Sequence, residues 1–195
     1  MLETTLRKLR KYKACENRYN YLTAALGDEY GDNTPLSVSR ILDINGVSDA
    51  LWALRACDMS QEDENAVYLL ACDYAEHVLP VFENKHPDDP YPRAAIEARR
   101  AWVRGEISYG ELKRSADAAD SAADSAADSA ADAASAAYFA ADAAYSYAYS
   151  TAHFAVYHAA HFAAADTVYF AAIPTAAADA TAEKRWQAQK LREIL

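Results

Sequence analysis

Ser60-Gln61-Glu62-Asp63-Glu64-Asn65-Ala66-Val67-Tyr68-Leu69-Leu70-Ala71-Cys72-Asp73-Tyr74, continuing to Phe82, is the stretch from which the fold follows. Val67, Leu70, Ala71, Tyr74, Val78, Leu79 and Phe82 recur three and four apart and share one helical face, while Glu62, Asp63, Asp73 and Glu76 turn away from it. Ser60 followed by Asp63 has the spacing of a helix N-cap, so the helix is predicted to begin there. Five glycines and six prolines in 195 residues leave little else to break helices, and they punctuate further segments with the same period.

Upstream, Leu2, Leu6, Leu9, Tyr19, Leu22 and Leu26 trace one face of a first helix predicted to stop at Gly27, with Gly27 to Thr34 as a polar loop. A short segment, Leu36 to Ile44, ends at Asn45-Gly46, and Ser48 is placed to cap a helix carrying Leu51, Trp52 and Leu54. Downstream, the prolines of His86-Pro87-Asp88-Asp89-Pro90-Tyr91-Pro92 forbid helix. Helix resumes at Pro92, a favourable first position, and ends before Gly105 with Ile96 and Trp102 as its bulky apolar residues.

From residue 108 the composition changes. Ser108 and Glu111 form a capping box, followed by a four-residue repeat of Ser, Ala, Ala and Asp through Asp132. Alanine is the strongest helix former, so the tract reads as helix even though Asp and Ser weaken it by up to about 0.7 kcal/mol per residue. An unbroken helix from 108 to 173 would run about 99 Å at 1.5 Å per residue, too long for a compact domain. A break between Tyr145 and Thr151 is therefore expected, giving an antiparallel pair with small faces in contact. A last helix, Thr175 to Leu195, follows Pro174. The expected fold class is all-α, a helical bundle with long Ala-rich antiparallel helices in its C-terminal half. Residues 1–107 form one helical domain, and 108–195 an Ala-rich acidic region packing on it.

Charge narrows the function. The net charge is −10, and between Ser115 and Ala182 there are eight Asp and no Lys or Arg. Like charges would repel nucleic acid and anionic membranes, so a basic protein surface is the expected partner, with oligomeric state left open. Ala143 to Ala165 has the length to span a bilayer, but ten of its residues are only Ala and His153, His158 and His161 interrupt it at high cost in hydrocarbon. No apolar signal-peptide region follows the N-terminus, and Cys15, Cys57 and Cys72 are odd in number and lack a CxxC pairing. They read as buried free thiols in a reducing, cytoplasmic setting.

Three groups of residues in the first half carry a family resemblance. They are Leu9-Arg10-Lys11-Tyr12 with Cys15, then Asn45-Gly46-Val47-Ser48-Asp49-Ala50-Leu51-Trp52-Ala53-Leu54-Arg55, then Cys72-Asp73-Tyr74-Ala75-Glu76-His77-Val78-Leu79-Pro80-Val81-Phe82-Glu83. Pro87-Asp88-Asp89, Arg93 with Ile96, Glu97, Arg100 and Trp102, and Gly105-Glu106 follow in order. The chain resembles the immunity-protein-five-like group of bacterial toxin systems, an all-helical family also met in phage genomes. The resemblance covers residues 6 to 106 by motif, and beyond that only by an Ala-rich helical tail, which here carries Asp and Ser where the resembling proteins intersperse Trp and Arg. It implies a protein that binds and neutralises a partner without catalysis or cofactor.

Asp117, Asp120, Asp124, Asp128 and Asp132 are the candidate partner-binding residues. Those spaced four apart sit about 6 Å apart along a helix axis and rotate about 40° per step, giving a winding acidic strip suited to speeding encounter with a cationic surface. The competing reading is a solvated helix face. A second functional class is a phage-encoded inhibitor of a nucleic-acid-processing defence system, of anti-CRISPR or anti-restriction type. Duplex DNA carries a charge every ~1.7 Å, however, and this strip is three to fourfold more dilute. A purely structural Ala-rich protein is disfavoured by aromatic residues that need burial. The histidines lack an HExxH arrangement and no metal is assigned; His86 with Asp88 is a weak acid/base pair. Arg55, Arg93, Arg100 and Glu97 are expected in ion pairs between helices, and Arg99, Arg100, Arg104, Lys113 and Arg114 either form a basic patch or pair with the chain's own acids.

Overall fold

A computed structural model describes residues 1–84, 86–127 and 176–195. Among these the fold is a helical bundle with one two-stranded antiparallel ribbon, β1 (Glu3–Thr4) against β2 (Leu36–Ser37), in the register Glu3 with Ser37 and Thr4 with Leu36. The helices are α1 (Leu6–Lys11), α2 (Glu16–Leu26), α3 (Val38–Asn45), α4 (Val47–Ala53), α5 (Gln61–Glu83), α6 (Tyr91–Val103), α7 (Tyr109–Ala127) and α8 (Ala176–Ile194), with a single 3₁₀ turn at Leu54–Ala56. The break expected between Tyr145 and Thr151 lies outside the described residues.

Helix α5 is the centre. The Asp63 carboxylate accepts from the Ser60 amide at 3.0 Å and the Ser60 hydroxyl at 2.7 Å, as the cap spacing requires. Val67, Leu70, Ala71 and Tyr74 form one buried stripe; Tyr68, Cys72, Ala75 and Leu79 form a second. At 100° per residue the two stripes span roughly 200°, so α5 is covered on two sides. On one side Cys72 lies against the Ile96 carbonyl of α6. On the other, α8 docks: the fully buried Tyr74 donates its hydroxyl to the Gln187 carbonyl at 2.7 Å, Trp186 tilts over the Tyr74 ring at 5.6 Å, and His77 stacks on Trp186 at 3.9 Å. Leu191, 0 % exposed, completes this contact.

The N-terminal helix expected through Leu26 is instead two helices. Helix α1 closes with the Ala14 amide bonded to the Leu9 carbonyl and the Lys13 amide to the Arg10 carbonyl, which puts Lys13 at φ 62°. That is the position where a helix end usually has glycine, and a side chain there costs on the order of 1–2 kcal/mol. The chain then restarts at Glu16. The ribbon was not expected, because two residues per strand carry no alternation to read. It is held by Val38 N–H to the Leu2 carbonyl and by the buried Thr4 hydroxyl to the Ala56 carbonyl. Helix α4 begins at Val47 behind Gly46, which takes φ 86° at the α3–α4 junction, so Ser48 already lies inside the helix and does not cap it.

The three cysteines are free, but only Cys72 is fully buried; Cys57 is intermediate and Cys15, at the start of α2, is exposed. The expectation of three buried thiols fails at Cys15 because the α1–α2 turn lifts it out of a helix face. Burial pushes Cys57 and Cys72 each up to about 12. Since the thiolate is the reactive form, iodoacetamide at neutral pH will label Cys15 first, and a Cys15→Ser variant will lose the fast phase in a mass-spectrometric time course. Leu191→Ala, by opening a cavity between α8 and α5, will lower the unfolding free energy by about 2–5 kcal/mol in a urea titration.

Candidate partner-binding surface

The candidate strip begins on α7. Its start is fixed by the capping box: the Glu111 carboxylate accepts from the Ser108 amide at 2.7 Å and hydroxyl at 2.8 Å, bonds that hold it below the usual carboxylate range. Leu112, Ala116 and Ala119, at helical spacing, are fully buried with Ala95 of α6, and Ala122 joins the main core. The small side chains let α7 approach α6 closely and commit one face to the bundle.

Asp117 is on the other side of the helix and half exposed, but it is ion-paired at 2.7 Å with Lys113 one turn back. Asp120 and Asp124 fall within the helical span of α7. Asp128 and Asp132 lie outside the described residues, as do His153, His158 and His161. Ser121 donates its hydroxyl to the Asp117 carbonyl at 2.9 Å. With Glu111, Lys113, Arg114 and Asp117 the opening turns of α7 balance in charge, and the uncompensated acidity of the sequence starts after them.

Helix α6 is locked to α5 by an ion-pair ladder. Arg93 and Arg100 are seven apart, two turns on one face; Glu83 and Glu76 are seven apart on α5. In the antiparallel arrangement Arg93 Nη2 reaches Glu83 at 2.8 Å and Arg100 Nη2 reaches Glu76 at 2.7 Å and Asp73 at 3.1 Å, while Glu97 adds a bond to Arg100 at 3.3 Å. The bonds from Arg100 and Arg93 hold Glu76 and Glu83 below the ordinary carboxylate range. Arg55 differs from expectation: its guanidinium sits 4.9 Å over the Trp52 ring and no ion pair holds it among the described residues. At this position an aromatic face replaces the carboxylate.

No continuous basic patch forms from Arg99, Arg100, Arg104, Lys113 and Arg114. Arg99 is 0 % exposed, its guanidinium 4.5 Å from the Tyr68 ring centre and 5.1 Å from that of Trp102, and burial lowers its pKa. Arg100 serves the ladder, Arg104 is bidentate on Glu106 at 2.7 and 2.8 Å, and Lys113 holds Asp117. In the proline loop Asp89, rather than Asp88, is the residue with a structural bond, accepting from the Tyr91 amide at 3.0 Å. Among the described residues no group of three or more His, Cys, Asp or Glu could hold a metal ion, and no helix is long and apolar enough to cross a membrane.

A feature that periodicity missed lies at the other end of the bundle. A cavity of about 380 Å³ opens between the α1–α2 turn and helices α3 and α4, with Leu9, Leu22, Ile41 and Trp52 among its walls. No signal in the sequence marked it, because the α1–α2 turn at its rim ends on Lys13 where a glycine is usual.

A family model described as Imm-5 like putative immunity protein matches residues 58–194. The chain belongs to that family. The match spans α5 to α8, including the Ala-rich tract, whereas the motifs at Leu9–Cys15 and Asn45–Arg55 precede it; family likeness thus extends further toward the C-terminus than the motifs implied, and residues 1–57 stand outside it. Comparison with curated proteins found no match, and neither did comparison with solved structures. Membership in the Imm-5 like family is consistent with an immunity-type role, in which the protein binds a partner protein, and with a non-enzymatic one.

The ladder makes a pH prediction. Glu76 is ionised in the folded chain below its ordinary value of 4.5, so its pairing stabilises the fold above that pH and is lost as pH falls through the depressed value. Urea midpoints of the parent chain and Glu76→Gln will differ at about pH 7, and the difference will shrink as the pH falls below the ordinary Glu value.

Proposed function

We propose that this Imm-5 like protein neutralises a toxin or effector by direct binding, presenting the acidic run that begins on α7 to a basic surface, without catalysis or cofactor. The supporting observation is the division of α7: Leu112, Ala116 and Ala119 are spent on packing against α6, while Asp117 on the opposite side stays half exposed. A helix fixed along one face holds its other residues in a set geometry at little further entropic cost. In this reading residues 1–107 are the scaffold and residues 108–195 the acidic region that meets the partner. The partner surface is cationic and the setting cytoplasmic, and charge favours a protein over nucleic acid or membrane. Asp117, shared with Lys113, contributes less than Asp120, Asp124, Asp128 and Asp132.

The test is co-purification with each protein encoded by the genes beside this one, using the parent chain and a variant with Asp120, Asp124, Asp128 and Asp132 changed to Asn. Association in the variant will slow by about tenfold or more at low salt, and the difference will shrink as salt screens the charges. Equal affinity and equal salt dependence would remove the acidic run from the interface. If the partner proves to be a nucleic-acid-processing defence effector, the second class, an inhibitor of phage origin, takes over with the same residues.

A further inference from the structure

The cavity between the α1–α2 turn and helices α3 and α4 has no part in the reading above. Its volume of about 380 Å³ falls in the range that takes a small molecule or one bulky side chain. Leu9, Leu22, Ile41 and Trp52 make its walls apolar. The polar side is nearly closed on itself: Arg18 Nε pairs with Asp49 at 2.7 Å, and the Asn45 amide donates to the same carboxylate at 2.7 Å and to the Arg18 carbonyl at 3.0 Å. Asp49 is therefore already paired, its Oδ2 taking both bonds, while the buried Asn45 Oδ1 is without a hydrogen-bond partner. Lys13, Arg18 and Asp49 are the charged residues of the lining, so it carries one net positive charge, and that charge belongs to Lys13. Lys13 is exposed and has no ion-pair partner among the described residues.

Two further observations concern Lys13 itself. It occupies a left-handed backbone position, φ 62°, that glycine would fill without strain. Strain retained at a surface residue beside a cavity is the pattern of a site at which the side chain is used. The cavity is also built from residues 9–53, all before the family match begins at residue 58.

We propose that this cavity is an anchor for a protein partner, taking one bulky apolar or aromatic side chain whose neighbouring carboxylate meets the Lys13 ammonium. The occupant is an acidic-aromatic segment, opposite in charge to the surface proposed for the acidic run. The anchor thus adds a second contact to a chain that binds protein, and rests on that reading only for its biological partner. Charge complementarity chooses the segment: an acidic neighbour gains Lys13, whereas a basic one faces Lys13 and finds Asp49 already engaged.

The experiment uses the full chain and two probes, N-acetyl-Asp-Phe-amide and N-acetyl-Lys-Phe-amide, followed by amide shifts of Ala14, Cys15, Ser48 and Ala53 in two-dimensional NMR. The acidic probe is expected to bind with a Kd on the order of 1 mM and to shift these amides together, with the basic probe at least about fivefold weaker. Lys13→Gly is expected to hold or raise the thermal midpoint while losing the preference between probes, and Lys13→Glu to reverse it. No shift with either probe, equal binding of the two, or a preference unchanged in Lys13→Gly overturns the proposal. None of these outcomes depends on the effector, so the anchor can fail while the acidic run stands, and the reverse.

Discussion

The Tyr74 hydroxyl lies in the middle of the core and must be satisfied there, since a buried donor without an acceptor costs about 1–3 kcal/mol. Its acceptor is the Gln187 carbonyl, which belongs to a helix far along the chain. That one bond orients α8, brings Trp186 onto both Tyr74 and His77, and sets Leu191 into the gap. With α8 on one side and α6 on the other, α5 has few degrees of freedom left. The Arg93 and Arg100 ladder then sets how far α6 slides along it, because carboxylates seven apart match guanidiniums seven apart in one register. Helix α7 inherits its position from α6 through alanines, and the proposed acidic surface inherits its position from α7.

Much of this was legible in residue order. The Val67 to Tyr74 part of the α5 face, both capping boxes, the proline connector, the glycine stops at Gly27 and Gly46, and the Arg93 and Arg100 pairing all follow from short-range spacing, and short-range spacing is what helices are made of. What escaped was decided by tertiary contact. The second buried stripe of α5, through Tyr68 and Cys72, needs α6 to explain it. Arg99 was expected in a basic patch or paired with the chain's own acids and is instead buried against Tyr68 and Trp102, where two aromatic faces and the alkyl stem help make burial tolerable. The α1–α2 break could not be seen because lysine at a left-handed position runs against the usual glycine signal. Of the candidate acidic residues, Asp117 was placed correctly on a helix, yet its partnership with Lys113 was the one part of the site that i, i+4 spacing already contained.

Cations and anions are distributed unevenly between the two halves, and the structure gives this a physical sense. In the part before the repeat, several arginines and lysines are committed: Arg93 and Arg100 to α5, Arg104 to Glu106, Lys8 to Asp58, Arg10 to Asp32, Arg18 to Asp49. These pairs hold helices and loops in register, while Arg7, Lys11, Lys13, Arg40 and Arg114 stay exposed outside them. Of these, Lys13 lines the hollow between the α1–α2 turn and helices α3 and α4.

The tie between Tyr74 and Gln187 bridges 113 positions. Such a bond closes a long loop, and its entropy cost must be met before the contact returns anything. During synthesis, α5 emerges with its Trp186 and Leu191 side still bare, and it stays so until residues 176–194 have been made. The core therefore closes only after the helix that carries Gln187 has emerged. A nascent chain stalled within the alanine repeat would expose an apolar stripe to chaperones and proteases.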